Sequence, residues 1–217
     1  MSLRILIFGD GENELGKIET EYAPSDDLPA LPRLIHRVLG EPAQTTYTTK
    51  KFKKIKAAHG RGGKWAKKTK RAIEDARKGG YQGTVILIDR DRKSSAERLG
   101  PLTDARDAML ACCAVGNAVE TFDAWMIADG KAVREATGKA TQSQSHPKPE
   151  KLNKDEGTGN HPKDWATRIF GGTSSLTPAY AVVALHADID LLKRTCPKGF
   201  APFAKDIEKR IAPLVGS

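Results

Sequence analysis

The sequence predicts an α/β protein: a mainly parallel sheet flanked by helices, followed by a helical C-terminal part. Three observations predict it. Two apolar runs, Leu3 to Phe8 and residues 84–89, read as buried strands. Stretches with apolar residues at helical spacing alternate with the strand-like runs, which argues parallel strands joined by crossovers. The C-terminal third carries helical patterns and no strand. A chain of 217 residues has room for one full domain, or for one domain plus an extension.

The first strand, apolar except for Arg4, ends in the glycine- and acid-rich loop Gly9-Asp10-Gly11-Glu12-Asn13-Glu14-Leu15-Gly16. Residues 21–32 are rich in Pro and Asp and read as irregular. Leu31, Leu34, Ile35, Val38 and Leu39 recur at helical spacing, and Gly40 supplies the stop. Thr45 to Thr49 is a short strand. Around His59-Gly60-Arg61-Gly62-Gly63 the chain is expected to be mobile. Trp65 to Lys78 is a helix with Trp65, Thr69, Ile73 and Ala76 inward, stopped by Gly79-Gly80. After the strand at 84–89, Ser94 or Ser95 caps a turn. Asp104 to Leu110 reads as a helix, Ala111 to Val119 as a strand, and Phe122 to Ala136 as a helix with Phe122, Trp125, Met126 and Val133 apolar. Trp125 is read as a core residue. Two more helices are expected at 178–194 and 200–214, separated by Pro197 and Gly199. Residues 1–137 then form the α/β domain. Residues 138–162, rich in Lys, Gln, Ser, Pro and Gly, are a polar linker or mobile loop. Residues 163–217 are a helical segment packed on the first domain.

Charge is concentrated. Between Lys50 and Lys78 stand 13 lysines and arginines against Glu74 and Asp75, a local +11, so the rest of the chain, at +9 overall, sums to −2. Such a segment is an electrostatic footprint for polyanions. Lys50, Lys51, Lys53, Lys54, Lys56, Arg61, Lys64, Lys67, Lys68, Lys70 and Arg71 are the candidate nucleic-acid contacts. The competing reading is a solubilising helix face. No apolar run approaches the roughly 20 residues that span a bilayer. Met1 leads straight into the first strand without a signal-peptide pattern. Cys112, Cys113 and Cys196 have no metal-ligand spacing. Adjacent Cys112 and Cys113 in an apolar run read as buried free thiols, which fits a reducing cytoplasm.

The chemistry is expected at two acidic strand ends. Val85-Ile86-Leu87-Ile88 runs into Asp89-Arg90-Asp91-Arg92. Open α/β sheets place ligands at the carboxyl ends of their strands. On a continuing strand, residues i and i+2 face the same side, and two carboxylates held that close in an apolar site repel unless a cation lies between them. Asp89 and Asp91 are therefore a candidate divalent-metal pair; the alternative is a solvated turn neutralised by Arg90 and Arg92. If the strands ending at Gly9 and Asp89 lie close, Asp10, Glu12 and Glu14 join the same crevice. Oxygen ligands of this kind suit Mg²⁺ or Mn²⁺. With the basic segment, the set points to a nuclease or another phosphoryl-transfer enzyme. Gly9-x-Gly11-x-x-x-x-Gly16 is not a phosphate-cradling loop: it lacks the Lys-Ser/Thr ending, and its acids repel phosphate. The five histidines have no ligand spacing.

The first strand and loop, the Asp-x-Asp strand end, and Glu120-Thr121-Phe122-Asp123-Ala124-Trp125-Met126-Ile127-Ala128-Asp129 resemble the DUF4276 family. That family is Toprim-like, related to the nuclease domain of OLD proteins and to topoisomerase–primase domains. The similarity extends through Leu185 to Phe203 and covers most of the chain. It implies a Toprim-like fold and a Mg²⁺-dependent nuclease, with Asp89 and Asp91 as the Asp-x-Asp and Asp10 where the family carries a glutamate. Glu14 matches a second acid of that loop. The resemblance thus gives Asp10, Glu14, Asp89 and Asp91 as catalytic residues. Asp10, Asp89 and Asp91 serve as metal ligands too, and Asp123 adds a carboxylate if Glu120 and Asp123 share a helix face. It also implies a partner ATPase of AAA or ABC type and a role in prokaryotic anti-phage defence. Aspartate is one methylene shorter than glutamate. That departure leaves open a second expectation, a non-catalytic subunit that binds nucleic acid or the ATPase; either form can oligomerise.

Overall fold

Residues 2–58, 62–138, 145–152, 155–171 and 176–216 are described by the computed structural model. In chain order the first elements are β1 (Leu3–Gly9), the one-turn helix α1 (Glu12–Leu15), β2 (Glu21–Tyr22), α2 (Ala30–Val38) and β3 (Thr45–Lys51). Then follow α3 (Lys64–Lys78), β4 (Gly83–Asp89), α4 (Ser95–Arg98), α5 (Gly100–Ala108) and β5 (Cys113–Ala118). The remaining helices are α6 (Asp123–Met126), α7 (Gly130–Thr137), α8 (Pro162–Phe170), α9 (Thr177–His186), α10 (Ile189–Thr195) and α11 (Phe200–Arg210).

The strands form one sheet in the order β2-β3-β1-β4-β5. β3, β1, β4 and β5 are mutually parallel, and only the two-residue β2 runs antiparallel, at the edge. β1 alternates its side chains between two cores, as a strand buried on both faces must. Ile5 and Ile7 join Val85 and Leu87 on the face covered by α2, α9 and α11. Leu6 and Phe8 join Ile86 and Ile88 on the face covered by α3 and α5. The α/β class and the mostly parallel sheet follow the sequence.

Several boundaries differ from expectation. The acidic loop after β1 contains a helical turn, α1, because Glu14 folds back onto the amides of Asp10 and Gly11. The helix expected over Phe122 to Ala136 is two helices. Asp129 interrupts it by accepting the N–H groups of Lys131 (2.8 Å) and Ala132 (3.3 Å), which starts α7 afresh. Asp188 does the same to the helix expected over 178–194, accepting Leu191 N–H at 2.9 Å. α8 falls at the start of the segment expected to be helical, without expected bounds of its own; it is signalled by Pro162 in its first turn and Gly171 in the left-handed conformation at its end.

Within the stretch read as a linker, residues 145–152 and 155–162 make specific contacts. Glu150 accepts the N–H groups of Lys198 (2.9 Å) and Gly199 (2.6 Å), and Leu152 and His161 are buried. The C-terminal helices pack on the sheet: Arg106 (α5) donates to Asp206 (α11) at 2.6 Å, and Asp206 also accepts Val115 N–H at 2.8 Å. Gly116 lets α11 approach β5, since a methyl group there would run into the Phe203 ring. Cys113 and Cys196 are buried free thiols, but Cys112 is exposed. β5 begins at Cys113, so its predecessor lies outside the buried strand.

Candidate acidic site at the carboxyl edge of the sheet

The chain leaves β1 toward β3 on one side of the sheet and continues from β4 to β5 on the other. The order reverses between β1 and β4, and ligands of open α/β sheets bind in the crevice outside such a switch point. Asp10 and Asp89 stand at that point. The strands ending in the two acidic loops are adjacent, with Ile7 opposite Val85 and Phe8 opposite Ile86.

The carboxylates are tied to one another's backbones. Asp10 Oδ2 accepts Asp89 N–H at 3.0 Å. Asp89 Oδ1 accepts Phe122 N–H at 2.9 Å, which joins β4 to the start of α6. Glu14 Oε1 accepts the N–H groups of Asp10 and, at 3.1 Å, Gly11. Asp123 accepts the Tyr180 hydroxyl, which brings α9 to the site. Asp10 Oδ1 is buried and, among the described residues, accepts no hydrogen bond; Lys53 Nζ stands 3.9 Å from it.

This crowding shows in the acidities. Burial pushes the Glu14 carboxyl up to about 8, with the charges of Asp10 and Asp123 adding to it. Burial also carries Asp89 well above the usual carboxylate range, and Glu14, Asp10, Asp123 and Asp91 reinforce the shift. Asp10 is raised by burial, with the Asp89 amide and Lys53 opposing. Lys163 Nζ, 3.3 Å from Glu156 Oε2, belongs to the same field: burial disfavours its charge, but Glu156, Asp123 and Asp89 outweigh that and raise its pKa.

Two sequence expectations are corrected. Asp91 does not share a face with Asp89, because β4 ends at Asp89 and the chain turns through left-handed conformations at Asp91 (φ 48°) and Arg92 (φ 61°). Asp91 is exposed and pairs with Arg98 Nη2 at 3.0 Å. Nor do Glu120 and Asp123 share a helix face. Glu120 precedes α6 at φ 59° and is buried against Arg90, also accepting Arg92 N–H at 3.0 Å. Three non-glycine residues in the left-handed region thus gather around one crevice, a strain that commonly marks functional loops. Asp123 does join the cluster. Tyr180 and Lys163 carry no motif in sequence, and the pairing of Arg90 with Glu120 joins two motifs 30 positions apart; only the fold brings these groups here.

The start of the basic segment borders this crevice. Lys50 and Lys51 end β3 opposite Phe8 and Gly9. Lys51 pairs with Glu12 at 2.5 Å and Lys53 faces Asp10. Lys54, Lys56, Lys64, Lys67 and Lys70 are at least partly exposed, and Arg71 is exposed but paired with Asp75 at 2.9 Å. Lys68 is corrected as a phosphate contact. It is buried and donates to the Phe52 (3.3 Å) and Lys53 (2.6 Å) carbonyls, fastening α3 to the turn after β3. His59 and Arg61 lie outside the described residues.

Among the described residues, no three acid, histidine or cysteine side chains form a ready metal-holding group. Mg²⁺ does not require one: it commonly takes one or two carboxylates and fills the remainder with water and phosphate oxygens. The unbonded, buried Asp10 Oδ1 beside Asp89 fits that demand.

The carboxyl shifts set a stability profile. Asp10, Glu14 and Asp89 all bind protons more tightly in the folded chain than in the unfolded one. Their contribution to stability is complete below the ordinary carboxyl range and is lost as pH rises toward the Glu14 value of about 8. Without divalent ions, the melting temperature should fall between about pH 5 and pH 8, and Glu14→Gln should flatten the upper part of that fall. Thermal melts that are level with pH across this window would contradict the buried acidic cluster.

Fold and site together define an α/β protein whose mostly parallel, five-stranded sheet presents buried carboxylates at its switch point. No family model, curated protein or solved structure matches the chain. Among the described residues, no helix is long and apolar enough to cross a membrane.

Proposed function

We propose that this chain is a Toprim-like, divalent-cation-dependent nuclease that hydrolyses phosphodiester bonds in DNA or RNA, with Mg²⁺ or Mn²⁺ as its cofactor. The observation that carries the reading is the pairing of Asp10 and Asp89 at the switch point, with a buried Asp10 oxygen that accepts no hydrogen bond among the described residues. A cation held there supplies Lewis-acid polarisation of a phosphoryl oxygen and a more acidic water. Asp10 and Asp89 are the residues that would hold it, and Asp91 stands at the rim. Glu14 is a positioning residue that fixes the Asp10 backbone, and Asp123 is held by Tyr180. Lys53 and Lys163 draw the phosphate backbone toward the acids, and the exposed lysines of residues 50–70 extend the attraction. The DUF4276 resemblance supports the same reading and carries with it a cytoplasmic setting, a partner ATPase and a role in anti-phage defence.

Plasmid DNA, single-stranded DNA or RNA, at least one of the three, should be cut in Mg²⁺ or Mn²⁺ and left intact in a chelator. A second reading, a non-catalytic subunit that binds nucleic acid or the ATPase, is favoured by the ion pairs that Lys53 and Arg98 make with Asp10 and Asp91. Under that reading no metal yields cutting, while binding persists and weakens steeply with salt.

A further inference from the structure

A cavity of about 390 Å³ lies beside the acidic crevice, at the carboxyl ends of β1 and β3. That volume is within the range of ligand pockets, about 300–1,000 Å³. Five cations line it: Lys50, Lys51, Lys54, Lys56 and Arg71. Lys51 is matched by Glu12 and Arg71 by Asp75. Among the described residues, no carboxylate pairs with Lys50, Lys54 or Lys56, and Glu19 is the remaining acid in the wall. Three unmatched lysines against one acid leave an excess of two positive charges. Phe8, Ile18 and Ile55 supply an apolar floor.

An excess of two matches a phosphate monoester, which carries about −1.5 to −2 near neutral pH, better than an internal phosphodiester with its single charge. The apolar floor suits the sugar or base next to that phosphate. Lys54, in the cavity wall, is adjacent in the chain to Lys53, which faces Asp10 at 3.9 Å, so the cavity and the acidic crevice adjoin. We infer that this cavity binds the terminal phosphate monoester of a nucleic-acid strand, making the protein a reader of phosphorylated ends. The inference rests on the nuclease reading for the nature of the strand.

Binding is best measured by fluorescence anisotropy in chelator, which separates it from cutting. The probes are one short oligonucleotide with a 5′-phosphate, with a 3′-phosphate, or with hydroxyl ends, and a competing mononucleotide. One phosphorylated form should bind about tenfold or more tightly than the hydroxyl form, as expected for new charge-assisted hydrogen bonds. Lys54→Gln with Lys56→Gln should remove that preference. Lys148→Gln, which removes the same kind of charge elsewhere, should keep it. Melting temperatures of the variants verify that the exposed substitutions leave the fold intact. Equal affinity of the wild-type protein for all three oligonucleotides overturns the inference. So does a mononucleotide that binds as tightly as the phosphorylated strand, which would assign the cavity to a free nucleotide. If end preference is present but no metal yields cutting, the nuclease reading falls and the cavity assignment stands.

Discussion

Asp89→Asn is expected to lower divalent-dependent cleavage by about 10³-fold or more, the scale of losing a group that stabilises charge in the transition state. The substitution removes one charge and almost no volume. The asparagine oxygen can still accept Phe122 N–H, the bond that joins β4 to the start of α6 at 2.9 Å. The fold should therefore persist. Asp89 is also strained electrostatically in the absence of a cation, since burial and its acidic neighbours push its pKa up. Removing its charge should leave the melting temperature of the metal-free protein unchanged or higher at neutral pH, and should shrink the stabilisation that Mn²⁺ provides. Cleavage assays and paired melts with and without Mn²⁺ read all three effects. Full activity in the variant would sink the metal assignment. A collapsed melting temperature with retained metal stabilisation would make Asp89 a structural residue.

Trp125→Ala should produce the largest loss of stability. The indole is fully buried where α6 meets the C-terminal helices, with ring centroids 5.1 Å from Phe200, 5.5 Å from Phe203 and 5.4 Å from Phe122. Deleting such a ring typically costs about 3–5 kcal/mol through lost burial and the cavity left behind. For a chain of this size that is a fall of roughly 6–20 °C in melting temperature. Trp125→Phe should cost far less. It keeps a ring among its neighbours and removes Nε1, which is buried with no hydrogen-bond partner among the described residues. Thermal melts of the two variants distinguish packing from polar function. Equal losses would show that the indole nitrogen matters in a way its surroundings do not explain.

The two variants probe features of different legibility. Trp125 reads as core from sequence because it stands among apolar residues at helical spacing, and it is core. Asp10 and Asp89 were legible as acids ending apolar strands, since β-branched runs can satisfy burial on both faces only inside a sheet. Asp91 was misread because the i, i+2 argument assumes a continuing strand, and β4 stops at Asp89. The breaks at Asp129 and Asp188 were missed because a capping aspartate looks, in sequence, like any polar residue on a helix surface. Lys68 looked like its basic neighbours, although its position on α3 turns it inward against the carbonyls of Phe52 and Lys53.

By itself the sequence determined the local matters: which apolar runs are strands, though not the two-residue edge strand β2 in the stretch read as irregular, where the first acids fall, and where positive charge collects. These depend on periodicity and composition over a few residues, and short-range sterics and burial settle them. Tertiary structure alone decided that β1 and β4 are neighbours and that Glu14 and Asp123 crowd Asp89. It also decided that Tyr180 and Lys163 reach the acids from the C-terminal helices and that Lys50, Lys54 and Lys56 wall one cavity. Apart from the lysines, those contacts join residues tens of positions apart. Their geometry follows from how both faces of one sheet are covered, a constraint on the whole chain that no local pattern records.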